Sequence, residues 1–153
     1  MKTSLEDEIR SVYTRIIEAW NNRSAEGMAG EFAVDGVLVG FDGSQEIGRD
    51  NIFDHLHPVF ESHPTPPFIS IIKDVRLLSP EVALLRAVVG MVPPGKTEID
   101  PNLNAHQTLI AVKKNDQWFA ELFQNTPAQF HGRPDLIQQM TEELGTKYIK
   151  DSL

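Results

Sequence analysis

The hydrophobic positions near the start of the chain repeat with the period of a helix. Apolar side chains recur three or four positions apart between Leu5 and Trp20, so one face of this helix should be buried. Thr3 followed by Glu6 has the spacing of a capping box, which predicts that the helix begins there. The polar residues 21–24 should end it.

Two shorter helical patterns and a hairpin come next. Met28 and Phe32 share a face of a second helix, and strand-like residues between the Asp-Gly pairs at 35–36 and 42–43 predict a small hairpin. Asp50 is placed to cap a third helix, which Pro58 should kink or end.

From residue 68 onward the pattern changes to that of strands. Runs at 68–78, 82–92, 105–113 and 118–125 are rich in branched and aromatic residues and are joined by turn-forming segments, which predicts an antiparallel meander. A last helix should begin at Pro134 and end at Gly145. Helices followed by strands predict one α+β domain over residues 1–153.

The register of the last strands decides which polar side chains lie together. If residues 114–117 form a tight turn, Lys113 opposes Trp118, Gln107 opposes Gln124 and His106 opposes Asn125. Strand alternation then puts five polar residues on one face of the sheet. They are Asp74, Arg86, His106, Glu121 and Asn125.

Composition narrows the class of function. With 22 acidic and 14 basic residues the net charge is −8, which argues against a nucleic-acid partner. The chain has no cysteine, no apolar run long enough to span a bilayer, and no signal-peptide pattern, so we expect a cytoplasmic protein without membrane contact. In the absence of a nucleotide, flavin or metal-binding signature, we expect no cofactor and no metal.

Three segments carry a family resemblance. "AWNNRSAEGMAGEFAVDGVLV" at 19–39, "DQWFAELFQNTP" at 116–127 and "FHGRP" at 130–134 resemble the SgcJ/EcaC group of SnoaL-like proteins, in the nuclear-transport-factor-2-like superfamily. The resemblance implies a cone-shaped, strongly curved, mainly antiparallel sheet wrapped around the N-terminal helices. It also implies a largely apolar cavity and a homodimer, and some members are linked to enediyne biosynthesis.

The same superfamily includes isomerases, cyclases and dehydratases as well as proteins without catalytic activity, so the fold leaves function open. One hypothesis is a cofactor-independent acid/base enzyme for an apolar or polyketide-like substrate. Glu121 would carry the proton, because burial in an apolar cavity raises the pKa of a carboxyl group, and His106 would orient Glu121 or the substrate. Four further residues are candidates for ligand binding: Trp20, Arg86, Gln107 and Asn125.

The alternative hypothesis is a binding or dimerisation module without turnover. In that case Glu121 and Arg86 form a structural ion pair, and Gln107 pairs with Gln124 across the strands. Trp20 then belongs to the core, and Asn125 caps the end of its strand. The sequence does not decide between the two hypotheses.

Overall fold

A computed structural model gives the structure of residues 4–153. The helices are α1 (Leu5–Asn21), α2 (Ala25–Gly30), α3 (Arg49–Ser62) and α4 (Pro134–Asp151), with a 3-10 helix at Pro101–Leu103. The strands are β1 (Phe32–Val39), β2 (Gln45–Ile47), β3 (Phe68–Ser79), β4 (Val82–Met91), β5 (Ala105–Lys114) and β6 (Gln117–Pro127).

The six strands form one open sheet in the order β2-β1-β6-β5-β4-β3. All neighbours are antiparallel except β1 and β6, which are parallel. Helices α1, α2 and α3 pack on one face, where their apolar residues share a core with Ala83, Leu85, Leu109 and Phe123 of the sheet. This face is called the inner face below. The predicted α+β fold, with a mainly antiparallel sheet around the N-terminal helices, is confirmed.

The N-cap of helix α1 lies one residue later than predicted. Ser4 is the N-cap, and its hydroxyl accepts a hydrogen bond from the Asp7 backbone N–H at 3.0 Å. Thr3, the predicted cap, lies outside the described residues. The helix ends at Asn21, as the polar segment after it predicted, and Arg23 adopts a positive φ of 55° in the turn.

Two boundaries near the hairpin differ from the predictions. Phe32 is the first residue of β1 rather than part of α2, because its fully buried ring belongs to the sheet core. Helix α3 starts at Arg49 with Gly48 as N-cap, and no side chain caps it, so the predicted Asp50 cap is wrong. The hairpin itself is confirmed, with Val37 opposite Ile47 and Val39 opposite Gln45.

Helix α3 continues through Pro58, which was expected to kink or end it, and α4 continues through Gly145, which was expected to end it. Pro58 lies inside α3, where buried Leu56 and Phe60 on either side hold the helix to the core. Gly145 lies inside α4, because Leu144 and Tyr148 pack on the sheet and outweigh the cost of glycine in a helix, about 1 kcal/mol.

The meander is confirmed, but its register changes within β6. Lys113 opposes Trp118 as predicted, and Ala111 opposes Ala120 in the same register. Ile110, however, opposes Leu122 rather than Glu121, so Glu121 is the extra residue of a β-bulge. Beyond the bulge the register is displaced by one. The predicted pairs of Gln107 with Gln124 and His106 with Asn125 are therefore wrong.

The observed partner of Gln107 is Asn125, and the partner of His106 is Thr126. Because a shift of one residue moves a side chain to the other face, Asn125 joins Gln107 on the inner face. Asp74 opposes Arg86 as predicted, but Arg86 opposes Thr108 rather than Ile110.

Helix α4 lies on the outer face of the sheet and covers one end of it. Met140 and Leu144 pack there against Ile69 and Val88 in a second apolar cluster. No helix within residues 4–153 covers the rest of the outer face. None of the helices in residues 4–153 is both long and apolar enough to cross a membrane.

Candidate ligand-binding cavity

A cavity of about 400 Å³ lies between the helices and the inner face of the sheet. This volume is within the range of small-molecule sites in proteins. Its wall combines residues from all three N-terminal helices with the ends of five strands. Most of the wall is apolar, including Trp20, Met28, Leu38, Leu56, Phe68 and Phe123.

Trp20 anchors the aromatic part of the wall. Its ring centroid lies 5.2 Å from that of Phe60 and 5.0 Å from that of Phe68, and its indole N–H donates to the Pro66 carbonyl oxygen at 3.0 Å. The next residue, Asn21, accepts a hydrogen bond from the Phe68 backbone N–H at 2.8 Å. The end of α1 thus fixes the start of β3 and keeps the aromatic rings in place.

Four polar side chains reach the cavity from loop 40–44, α3 and β6: Asp42, Ser44, His55 and Asn125. Asp42 accepts two hydrogen bonds from Ser44, at 3.0 Å from its backbone N–H and 2.7 Å from its hydroxyl. These hydrogen bonds stabilise the carboxylate and lower the pKa of Asp42, so it is ionised at neutral pH.

Among the wall residues that the structure describes, His55 is the one basic side chain, and the carboxylate of Glu46 lies next to it. Its Nδ1 atom is 3.3 Å from Glu46 Oε1, which joins α3 to strand β2. A carboxylate next to an imidazole can orient the ring, and imidazole is the side chain used most often in general acid/base chemistry. The pair is therefore suited to acid/base chemistry at the cavity.

Asn125 is held at the cavity by two hydrogen bonds. Its Oδ1 accepts from Gln107 Nε2 at 2.9 Å, and its Nδ2 donates to the Val39 carbonyl oxygen at 3.0 Å. Gln107 lies behind Asn125 and is 1% exposed, so it supports the wall without forming part of it.

The residues predicted from the sequence are divided between the two faces of the sheet. Trp20 and Asn125 lie on the cavity wall. Arg86 lies on the outer face with Asp74, its Nε atom 3.5 Å from Asp74 Oδ2. His106 is exposed on the outer face beside Phe130, with 6.1 Å between the ring centroids. Asp74, Arg86, His106 and Glu121 therefore share one face as predicted, whereas Asn125 lies on the other face because of the bulge in β6.

Glu121 also lies outside the cavity, in an outer-face cluster with Asp35 and Lys114. Lys114 Nζ is 3.5 Å from Asp35 Oδ1 and 4.0 Å from Glu121 Oε2. Within residues 4–153, the buried Oε2 atom has no hydrogen-bond partner. Burial, followed by repulsion from Asp35, raises the pKa of Glu121, whereas Lys114 lowers that of Asp35.

Sequence reasoning missed Asp42, Ser44 and His55. A signal existed for the first two, since Asp-Gly-Ser in a hairpin turn next to a cavity-forming strand predicts exposed polar groups. His55 carries no such signal, because its partner Glu46 comes from a separate strand. Across the described part of the chain, no group of three or more His, Cys, Asp or Glu residues could hold a metal ion.

No protein-family model matches this sequence, and no curated protein sequence matches it either. Solved structures do match. A domain of unknown function with a cystatin-like fold from Nostoc punctiforme is 24% identical over 90% of this chain and 86% of that chain, with a TM-score of 0.78. A ketosteroid isomerase-like protein from Erwinia carotovora is 16% identical over 84% and 99%, with a TM-score of 0.69.

A third similar structure is described as a calcium/calmodulin-dependent protein kinase type II association domain from Thiobacillus denitrificans. It is 13% identical over 78% of this chain and 94% of that chain, with a TM-score of 0.70. Further matches are described as NTF2-like proteins of unknown function. The chain has a nuclear-transport-factor-2-like fold. At these identities the nuclear-transport-factor-2-like neighbours establish the fold and leave the function open.

The Glu121 cluster predicts a stability change that depends on pH. A carboxyl whose pKa is raised by folding binds its proton more tightly in the folded state. The free energy of unfolding therefore falls as the pH rises from the ordinary pKa of Glu121 to its raised value. We expect Glu121→Gln to raise the thermal midpoint near pH 8 and to lose this advantage near pH 3, where Glu121 is protonated in both the folded and the unfolded protein.

The matched control is Glu98→Gln, which removes an exposed carboxylate from a loop and should leave the midpoint unchanged at both pH values. Circular dichroism melting curves provide the measurement. A lower midpoint for Glu121→Gln at pH 8 would mean that attraction to Lys114 outweighs burial and the repulsion from Asp35.

Proposed function

We propose that the protein binds an apolar small molecule in the cavity, with the polar end of the ligand next to Asn125. The observation that carries this proposal is the composition of the wall, where aromatic and aliphatic side chains enclose the volume and a few polar groups lie together. Burying the apolar body would contribute about 25 cal/mol per Å². The polar groups would fix its orientation.

Blocking the cavity tests this proposal. Leu103 lies on the wall and is only half-buried, so Leu103→Phe should fill part of the volume without disrupting the core. Binding of naphthalene derivatives can be followed by Trp20 fluorescence in a Trp118→Phe background. We expect Leu103→Phe to weaken binding by about 10-fold or more, since a lost apolar contact costs one to a few kcal/mol.

Leu136→Phe is the matched control, because Leu136 is also half-buried but lies on α4, beside a separate groove on the outer face. The Leu136→Phe variant should bind the naphthalene derivatives with the affinity of the native protein. Equal weakening by both substitutions, or binding that Leu103→Phe does not affect, would contradict a ligand site in this cavity.

Acid/base catalysis is a second candidate function, favoured by the His55–Glu46 pair at the same cavity. His55 would take a proton from a carbon atom next to a ligand carbonyl and return it to another carbon of the same molecule. Such an isomerisation consumes no co-reactant. Cyclisation or dehydration of a polyketide-like compound belongs to the same class of chemistry.

The proton carrier can be identified by substitution once a substrate is found among apolar carbonyl compounds. His55→Gln should lower turnover by roughly 10²-fold or more with little change in ligand affinity, the scale of a general acid/base contribution. Glu121→Gln should leave turnover unchanged, because Glu121 lies outside the cavity. Loss of turnover in Glu121→Gln, with normal turnover in His55→Gln, would support the sequence-based hypothesis that Glu121 carries the proton. Binding of the compounds without turnover would favour a non-catalytic module.

We also propose that two copies of the chain associate through the uncovered part of the outer face. Four apolar residues lie opposite one another across neighbouring strands there, and all are only half-buried: Val37, Leu122, Ile110 and Leu84. Charge clusters of opposite sign lie on either side of this row. One holds Asp74, Arg76 and Arg86, and the other holds Asp35, Glu121 and Lys114.

A two-fold axis that brings the first cluster of one copy to the second cluster of its partner would pair these charges and cover the apolar row. The similarity to a structure described as an association domain is consistent with such a contact. The SgcJ/EcaC grouping, a role in polyketide or enediyne biosynthesis and a cytoplasmic location remain predictions.

Assembly can be tested by light scattering at micromolar concentration. We expect the native protein to be a dimer and Ile110→Lys to be a folded monomer, because a charge in the apolar row would be buried without a partner. Ile149→Lys, on an exposed part of α4, is the control and should remain dimeric. A monomeric native protein would contradict the proposed interface.

A further inference from the structure

A chain of hydrogen bonds runs from helix α1 to the cavity wall. The Tyr13 hydroxyl donates to Gln107 Oε1 at 2.6 Å, and Gln107 Nε2 donates to Asn125 Oδ1 at 2.9 Å. Asn125 Nδ2 then donates to the Val39 carbonyl oxygen at 3.0 Å. Tyr13 and Gln107 are each 1% exposed, so the first part of the chain is closed to solvent.

The groups at the two ends of this chain of hydrogen bonds determine which partner donates in each of them. A backbone carbonyl only accepts hydrogen bonds, so the amide nitrogen of Asn125 must face Val39 and its oxygen must face Gln107. Gln107 in turn presents its nitrogen to Asn125 and its oxygen to Tyr13, which must donate. Rotating either amide by half a turn would bring two oxygens or two NH₂ groups together, which is costly in a buried site.

The phenol end is suited to this donor role. Burial raises the pKa of Tyr13, so the hydroxyl keeps its proton at neutral pH. Phe123 packs next to the Tyr13 ring, with centroids 6.2 Å apart. The donor is therefore held in place by apolar packing as well as by its acceptor.

An amide nitrogen carries two N–H groups, and the Val39 carbonyl takes one of them. Asn125 lies on the cavity wall with its oxygen directed to the buried Gln107, so its second N–H is the donor that it can offer to a ligand. We propose that the Val39 carbonyl at one end and Tyr13, acting through Gln107, at the other together fix Asn125 as a hydrogen-bond donor to the cavity, and that the ligand is an apolar compound ending in an acceptor such as a ketone or ester carbonyl.

This inference rests on the proposed binding function, and a pair of probes separates the two. Acetylnaphthalene and ethylnaphthalene have nearly the same shape, but only the first carries an acceptor oxygen. The affinities of both compounds for the native protein and its variants can be measured by Trp20 fluorescence in the Trp118→Phe background. The ratio of the two affinities reports the hydrogen bond, because the apolar contribution is common to both.

We expect Tyr13→Phe to reduce the preference for acetylnaphthalene by roughly 3- to 10-fold, the equivalent of one net hydrogen bond, and to leave the affinity for ethylnaphthalene unchanged. Asn125→Asp, which presents only acceptors, should lose the same preference. Tyr148→Phe, at a half-buried tyrosine on α4, should keep it. If Tyr13→Phe does not fold, Gln107→Met breaks the chain at its centre with a side chain of similar length.

Several results would overturn the inference. An unchanged preference in Tyr13→Phe, with loss of preference in Asn125→Asp, would mean that Tyr13 does not set the amide orientation. If Tyr13→Phe lowered the affinity for both compounds equally, Tyr13 would contribute to the site through packing alone. Equal binding of both compounds to the native protein would reject an acceptor-bearing ligand while supporting the apolar site, and binding of neither would contradict the proposed function and this inference with it.

Discussion

The β-bulge at Glu121 determines which side chains of β6 face the helices. Up to Ala120 the strand follows the register set by its turn with β5, and after Glu121 every residue is displaced by one position. As a result Phe123 and Asn125 face inward, while Leu122 and Gln124 face outward. Strand β1 bends beside it, where a Cβ atom on Gly36 would lie only 2.7 Å from the Ala120 carbonyl oxygen.

The candidate site follows from this displacement. Phe123 contributes apolar surface to the cavity wall, and Asn125 contributes its polar group. Gln107 can remain fully buried because both ends of its amide have a partner. The shift gives its Nε2 the acceptor Asn125, and its Oε1 accepts from Tyr13 on α1. One extra residue in one strand therefore supplies both the buried polar chain and the hydrogen-bonding group that the cavity presents.

Much of the fold could be predicted from the sequence, because the period of the apolar residues changes from that of helices to that of strands near residue 68. The turn with Lys113 opposite Trp118 was also predictable from its length. The bulge was not, since a single polar residue inside an apolar strand predicts a functional side chain as readily as an irregular backbone. Glu121 was therefore assigned to the cavity, and His55 was missed because its partner Glu46 comes from a separate strand.

The most direct test of this account is a crystal structure of the protein with an apolar carbonyl compound bound. We predict that the apolar body lies beside Trp20 and Phe68, with the carbonyl oxygen about 3 Å from Asn125 Nδ2. A compound bound on the outer face beside Glu121 or His106 would contradict the assignment of the site. A ligand in the cavity whose polar end points away from Asn125 would contradict the role given to the bulge.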